Sequence, residues 1–215
     1  GDPSSAIVIV GDDIPDSEES CDVLVVGGGM GGVAAAWIAA RRGHNVCLLE
    51  ETDWLGGQIT SQGVAALDEH EHIESFGGTR SYYQLCETIR EHYRKLYREA
   101  KFDEPLNPGR CWVSRLAFEP EVAVNAVDKL LESEVAEGRL RVFLRTKAVG
   151  AEMDGDQVVS VTAINLDDGC SLRIIFQYVL DATELGDLLP LTGTEYVVGA
   201  DHAIASLYYG ALDDR

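Results

Sequence analysis

Apolar positions cluster in short, dense runs near the start of the chain. Val23 to Val26 is an unbroken run of β-branched and aliphatic residues ending at glycine, the pattern of a strand covered on both faces. From Val33 to Arg42 the run becomes alanine-rich and helical, Gly43 is placed to end the helix, and Asn45 to Leu49 reads as a second strand. Further on, Leu85, Ile89, Tyr93 and Leu96 make an apolar stripe at helical spacing, predicting a helix over Arg80 to Ala100. Pro120, in the sequence FEP, suits the first turn of another helix. Its apolar face is predicted from Val124, Val127, Leu131 and Val135, with Gly138 at its end and a strand over Arg139 to Leu144. Between 147 and 180 the period changes to two. Asp154-Gly155 and Asp168-Gly169 separate alternating strands, VVSVTAIN and SLRIIFQYVL, as in an antiparallel meander. Ahead of all this, Ala6 to Val10 is one possible strand, and the run GDDIPDSEES reads as a solvated linker.

The junction between the first strand and the first helix carries chemistry. Gly27, Gly29 and Gly32 have the G-x-G-x-x-G spacing. Gly27 is expected to permit the tight turn, Gly29 to let backbone approach a pyrophosphate, and Gly32 to let the helix pack closely. The free N–H groups and partial positive charge of the helix N-terminus favour a diphosphate there. Glu50, at the tip of the second strand and close to ~20 residues beyond the glycines, is the acid expected to accept hydrogen bonds from ribose hydroxyls. Strand, turn, helix, second strand and acid agree on a dinucleotide site of Rossmann type. The following stretch, ETDWLGGQITSQGV, holds Gly56, Gly57 and Gly63 with Gln58, Thr60, Ser61 and Gln62. Its position at the carboxyl edge of the sheet fits a second clamp on the cofactor, and its composition fits a connecting loop equally well.

Composition narrows the partners. The chain of 215 residues carries 37 acidic against 17 basic residues, a formal charge of −20, which repels nucleic acid and anionic membrane surfaces. Only four lysines are present, Lys95, Lys101, Lys129 and Lys147. No apolar run approaches the ~20 residues that span a bilayer. The chain begins with Gly1, so an upstream targeting segment can have been removed. Five cysteines with no C-x-x-C pair argue against a disulfide-reductase centre and a zinc ribbon, and favour a reduced, cytoplasmic protein. His70 and His72 are spaced i, i+2 with nothing to complete a ligand set. No metal is expected, and the two histidines are read as loop residues lining a substrate pocket.

With these pieces placed, the chain resembles the amino-terminal part of an FAD-dependent oxidoreductase of the glutathione-reductase-like fold. Four segments carry the likeness in the family's order: VVGGGMGGVAAA, LGGQITSQG, FEPEVA and VLDATELGDL. The resemblance implies an α/β fold: a Rossmann-like βαβ parallel sheet with a helical insertion and an antiparallel β-meander. It also implies FAD as cofactor. Gly27, Gly29 and Gly32, with Gly28 and Gly31 completing the turn, would hold the pyrophosphate, and Glu50 the adenosine ribose. The loop Gly56, Gly57, Gln58 to Thr60 would run beside the pyrophosphate toward the isoalloxazine. The backbone near Ala148 would contact the adenine, and Asp181, Ala182, Thr183 and Glu184 would pass close to the cofactor.

On this reading, residues 1–20 are an acidic tail and 21–66 the FAD-binding βαβ unit and its loop. Residues 67–118 are a helical insertion, 119–190 the return helix, strand, meander and last strand, and 191–215 the start of a second half. The family usually has glycine where this chain has Glu184, so flavin affinity is expected to suffer if the backbone there needs a positive φ. Members are usually twice this length or more, so a fragment or a short form is expected, and no catalytic residue is assigned. The implied activity is hydride or electron transfer between flavin and a small molecule. The alternatives are an NAD-dependent oxidoreductase and a non-catalytic protein-binding module on the same fold; Glu50 disfavours NADP by repelling a 2′-phosphate.

Overall fold

The computed structural model describes residues 15–64, 66–97 and 105–197. In chain order, β1 (Ser17–Ser20) and β2 (Val23–Val26) lead into α1 (Met30–Arg41), β3 (Val46–Leu49), the single-turn α2 (Gln58–Ser61) and α3 (Arg80–Leu96). There follow α4 (Pro120–Ala136), β4 (Leu140–Phe143), β5 (Thr146–Asp154), β6 (Gln157–Asn165), β7 (Ser171–Ile175), β8 (Tyr178–Asp181) and α5 (Leu188–Thr192). Among the described residues no helix is long and apolar enough to cross a membrane.

Every residue of β2 and β3 is buried, which is why both read as continuous apolar runs. They form the centre of an all-parallel sheet ordered β4-β3-β2-β8. Successive residues of a strand point to opposite faces, so these strands feed two cores. Val23, Val25, Val46 and Leu48 pack on one side with Val33, Ala36 and Trp37 of α1, Val127 and Leu131 of α4, and Ile89 of α3. Leu24, Val26, Cys47 and Leu49 pack on the other side with Ala148, Val161, Ala163 and Ile174 of the meander. The meander is therefore a separate sheet, ordered β1-β7-β6-β5, laid on the open face of the parallel one. Both expected turns are present, with Gly155 at φ 62° and Gly169 at φ 76°.

Four sequence expectations need correction. Ser17–Ser20, read as solvated linker, pairs in parallel with β7 as the edge strand of the meander sheet. SLRIIFQYVL, read as one strand, is two: the chain steps between sheets at Phe176–Gln177, where the N–H groups of Gln177 and Tyr178 both bond the Asp22 carbonyl. Alternation along a strand does not say which sheet receives it. The buried face of α4 is Val122, Ala123, Ala126, Val127 and Leu131, whereas Val135 is exposed. Alanine lets this helix run close to its neighbours, and a stripe chosen by large side chains overlooks it. Likewise α3 buries Leu85, Ile89 and Tyr93 but leaves Leu96 exposed, and it ends there. The expected strand at Ala6 to Val10 lies outside the described residues.

Helices α3 and α4 are joined through Tyr93. Its hydroxyl accepts the Glu119 N–H at 2.9 Å and donates to the Glu119 carboxylate, at the residue that caps α4. Burial, reinforced by that carboxylate, pushes the Tyr93 phenol up to about 12, while the same bond holds Glu119 below its usual range. Because the folded phenol titrates above its unfolded value of about 10, its contribution to stability is complete below that value and is lost as pH rises through about 12. Glu119 has the opposite sign: its share is present above the unfolded carboxylate value and is lost as pH falls through the folded one. An ultraviolet titration should show one late-ionising tyrosine that Tyr93→Phe removes. Persistence of that late step in the variant would refute the assignment.

Candidate functional site

The carboxyl ends of β2 and β3 open into a cavity of about 490 Å³. Gly27, Gly28, Gly29, Glu50, Gly57 and Gln58 line it, joined from across the sheet by Ala148, Ala182, Thr183 and Glu184. Ten of the fifteen residues expected at the cofactor thus meet in one place; Gly31, Gly32, Gly56, Thr60 and Asp181 do not line it.

The five glycines of the turn divide into two kinds. Gly27 takes φ 102°, and a Cβ there would lie 2.4 Å from the Ala182 carbonyl oxygen. At Gly28 a Cβ would press on Leu55 and on the Glu50 carboxylate, at 2.5 and 2.7 Å. At Gly32 it would come within 1.9 Å of the Gly27 carbonyl oxygen, so this glycine admits the helix to the turn itself rather than to the strand. These three hold the turn together. Gly29 differs: a Cβ would point into space, meeting only the tip of the Glu184 side chain at 3.4 Å, and at Gly31 nothing lies within 4 Å. Gly29 also caps α1 without a side chain, and the first turn of α1 carries no acid. Bare backbone and the positive end of a 12-residue helix therefore face the cavity.

The loop after β3 lies against this turn. The Gly56 N–H donates to the Gly28 carbonyl at 2.8 Å, and Gly29 and Gly56 form a parallel bridge. Thr60 does not face the cavity. It is buried and donates its hydroxyl to the Leu55 carbonyl at 2.9 Å, and a Cβ at Gly56 would strike it. Its work is to hold the loop.

Glu50 is buried rather than a solvated surface acid. One carboxylate oxygen accepts the Gly28 N–H at 2.7 Å and the other the Thr52 N–H at 2.8 Å. The side chain thus ties the glycine turn to the end of β3 while remaining at the cavity wall. Glu50→Gln would turn an amide NH₂ toward one of these two donors. Leaving a buried donor unmet costs about 1–3 kcal/mol. Because the Thr52 bond is only part-buried, the amide should turn that way, and urea unfolding of the variant should show a loss of about 1 kcal/mol. An unchanged unfolding free energy would sink this account of Glu50.

Asp181 organises the segment beyond β8. Its carboxylate accepts the Thr183 N–H and hydroxyl at 3.0 and 2.7 Å and the Leu188 N–H at 3.0 Å, which turns the chain back into α5. The backbone strain expected at Glu184 is absent. The described non-glycine residues with positive φ are Arg110 and Arg145, and the left-handed position in this loop is taken by Gly186 at φ 72°.

Sequence reading missed several lining residues, chiefly Glu51, Thr52, Lys147 and Asp187. Lys147 is the sole cation among the cavity's lining residues. Its ammonium pairs with Glu51 and, at 3.7 Å, with Asp187, and the Glu51 bond raises its affinity for the proton. Each lies within three residues of a predicted position, but only the meeting of β5, α5 and the β3 loop brings them together. His70 and His72 are not at the cavity. The His72 ring stacks on Phe76 with centroids 5.4 Å apart.

Comparison with known proteins accords with this geometry. The family model described as FAD dependent oxidoreductase matches residues 22–207. The chain is 46% identical over 63 residues to N,N-dimethylglycine/sarcosine dehydrogenase of Chromohalobacter salexigens, covering 29% of this chain and 8% of that protein. It is 49% identical over 135 residues to an L-amino-acid oxidase of Demansia vestigiata, covering 51% of this chain and 25% of that protein. The chain therefore spans a quarter or less of either relative. In fold it is similar to glycerol-3-phosphate dehydrogenase from Bacillus halodurans complexed with FAD, with a TM-score of 0.52 at 18% identity, covering 80% of this chain and 36% of that one. It is also similar to a geranylgeranyl bacteriochlorophyll reductase-like protein from Thermoplasma acidophilum, with a TM-score of 0.51 at 20% identity, covering 85% and 44%.

Proposed function

The chain belongs to the FAD dependent oxidoreductase family, and from that premise we propose that its cavity binds FAD for the oxidation or reduction of a small molecule. The observation that carries this reading is the bare backbone at Gly29, which opens on the cavity beside the N-terminus of α1 while Gly27, Gly28 and Gly32 are consumed by the turn. A diphosphate fits that cradle by charge and by approach. Gly29 and Gly57 would lie against it, and Glu50 would accept from the adenosine ribose. Ala148, at the cavity wall on β5, would border the adenine. Bound FAD supplies the hydride or electron transfer, and the chain supplies binding, orientation and exclusion of water. Five free cysteines suit a reducing, cytoplasmic compartment.

The test is an absorbance spectrum of the purified chain before and after adding FAD. Flavin bands that co-elute with the protein are expected. A colourless chain that refuses added FAD would overturn the reading and favour a binding module on the same fold.

A further inference from the structure

The carboxylate of Glu184 sits in the gap that faces both cradle glycines. Its Oε1 is 3.4 Å from the Cβ position of Gly29 and 3.5 Å from that of Gly57. The side chain is exposed and makes no hydrogen bond or ion pair among the described residues. The helix end beside it favours an anion. The α1 N-terminus has no side-chain cap and no acid in its first turn, and its cap residue Gly29 lines this space. A carboxylate and a diphosphate cannot share the gap, since two anions a few ångströms apart repel strongly outside bulk water.

We propose that Glu184 is an internal competitor for the diphosphate subsite, an anion of the chain's own that must swing out before a dinucleotide seats, and that it thereby sets cofactor affinity. The inference rests on the FAD-cradle reading above. It differs from the expectation of backbone strain at this position, because the obstacle is the side chain's charge and place rather than its φ. Glu50, Glu51 and Asp187 also line the cavity, but Glu50 is held by the Gly28 and Thr52 N–H groups and Glu51 and Asp187 share Lys147, which leaves Glu184 as the lining acid with no partner among the described residues.

Calorimetric titration of the whole chain with ADP, with adenosine and with FAD separates the possibilities. For Glu184→Gln, which keeps the shape and removes the charge, ADP and FAD should bind about tenfold more tightly than to the parent chain, and adenosine with unchanged affinity. The advantage should shrink as salt rises, because the side chain is exposed and its field is screened. Glu184→Gly should match or exceed the gain. Equal or weaker ADP binding by both variants would overturn the proposal, weaker binding marking Glu184 as a direct support of the cofactor. A uniform gain for adenosine and ADP would also overturn it, since the effect would not lie at the diphosphate. If neither parent nor variants bind any of the three ligands, the cradle reading itself falls, and this inference with it.

Discussion

Gly32→Ala is expected to cost the chain a large share of its stability. The new Cβ would lie 1.9 Å from the Gly27 carbonyl oxygen and 3.2 Å from the Ala182 side chain. A side chain in the way can rotate, but this oxygen belongs to backbone fixed by β2 and by the Gly27 N–H bond to the Leu49 carbonyl. Either α1 must lift from the turn or the turn must leave the sheet. Overpacking relieved by side-chain movement costs about 1–3 kcal/mol, so a clash that only backbone can relieve should exceed ~3 kcal/mol. That is a large fraction of the ~5–15 kcal/mol that holds an ordinary domain. For a chain of this size it corresponds to a fall of roughly 6–12 °C or more in the thermal midpoint. Gly31→Ala is the control: with nothing within 4 Å and a helical position, it should be neutral or slightly stabilising. If the two alanine variants melt together, the division of labour among the glycines is wrong.

Gly29→Ala should show the converse, an intact fold with damaged cofactor binding. Gly29 has φ −61°, which alanine adopts without strain, and its Cβ would touch only the flexible end of Glu184. The exchange at this cap should cost under ~1 kcal/mol of stability. The same methyl group would stand where a diphosphate has to approach the backbone, and displacing the ligand by that distance should cost about 1–3 kcal/mol of binding, roughly 10- to 100-fold in affinity. Flavin fluorescence titration beside a thermal melt reads both quantities. Wild-type FAD affinity in a normally folded Gly29→Ala chain would remove the bare backbone as the carrier of the functional reading. Loss of the fold would instead show that Gly29 is as structural as Gly32.

The two substitutions look alike on paper, since each adds one methyl group to the same motif. Spacing placed Gly27, Gly29 and Gly32 in a single pattern with three assigned jobs, of which the tight turn at Gly27 agrees with the geometry and the approach to a pyrophosphate at Gly29 is a proposal. What Gly32 actually meets, a carbonyl of its own turn, depends on the angle at which α1 leaves β2. Similarly, Thr60 and Glu184 were both placed near the cofactor by their segments. The first is turned inward onto the Leu55 carbonyl and the second outward over Gly29 and Gly57. Neither direction is written in the local pattern.

The sequence by itself determined the βαβ unit, its glycine turn, Glu50 at the strand tip, the meander turns and the parallel, doubly covered nature of β2 and β3. These are consequences of periodicity and of backbone freedom, which act over a few neighbouring residues. Only the tertiary structure decided that the meander is a second sheet, that Ser17–Ser20 closes its edge, and that β7 and β8 part company at Phe176–Gln177. It also decided that Lys147, Glu51 and Asp187 meet at the cavity, and that Glu184 stands over the bare glycines. Those outcomes depend on which distant surfaces bury each other best, and a pattern of apolar and polar positions records that a face is buried without recording against what.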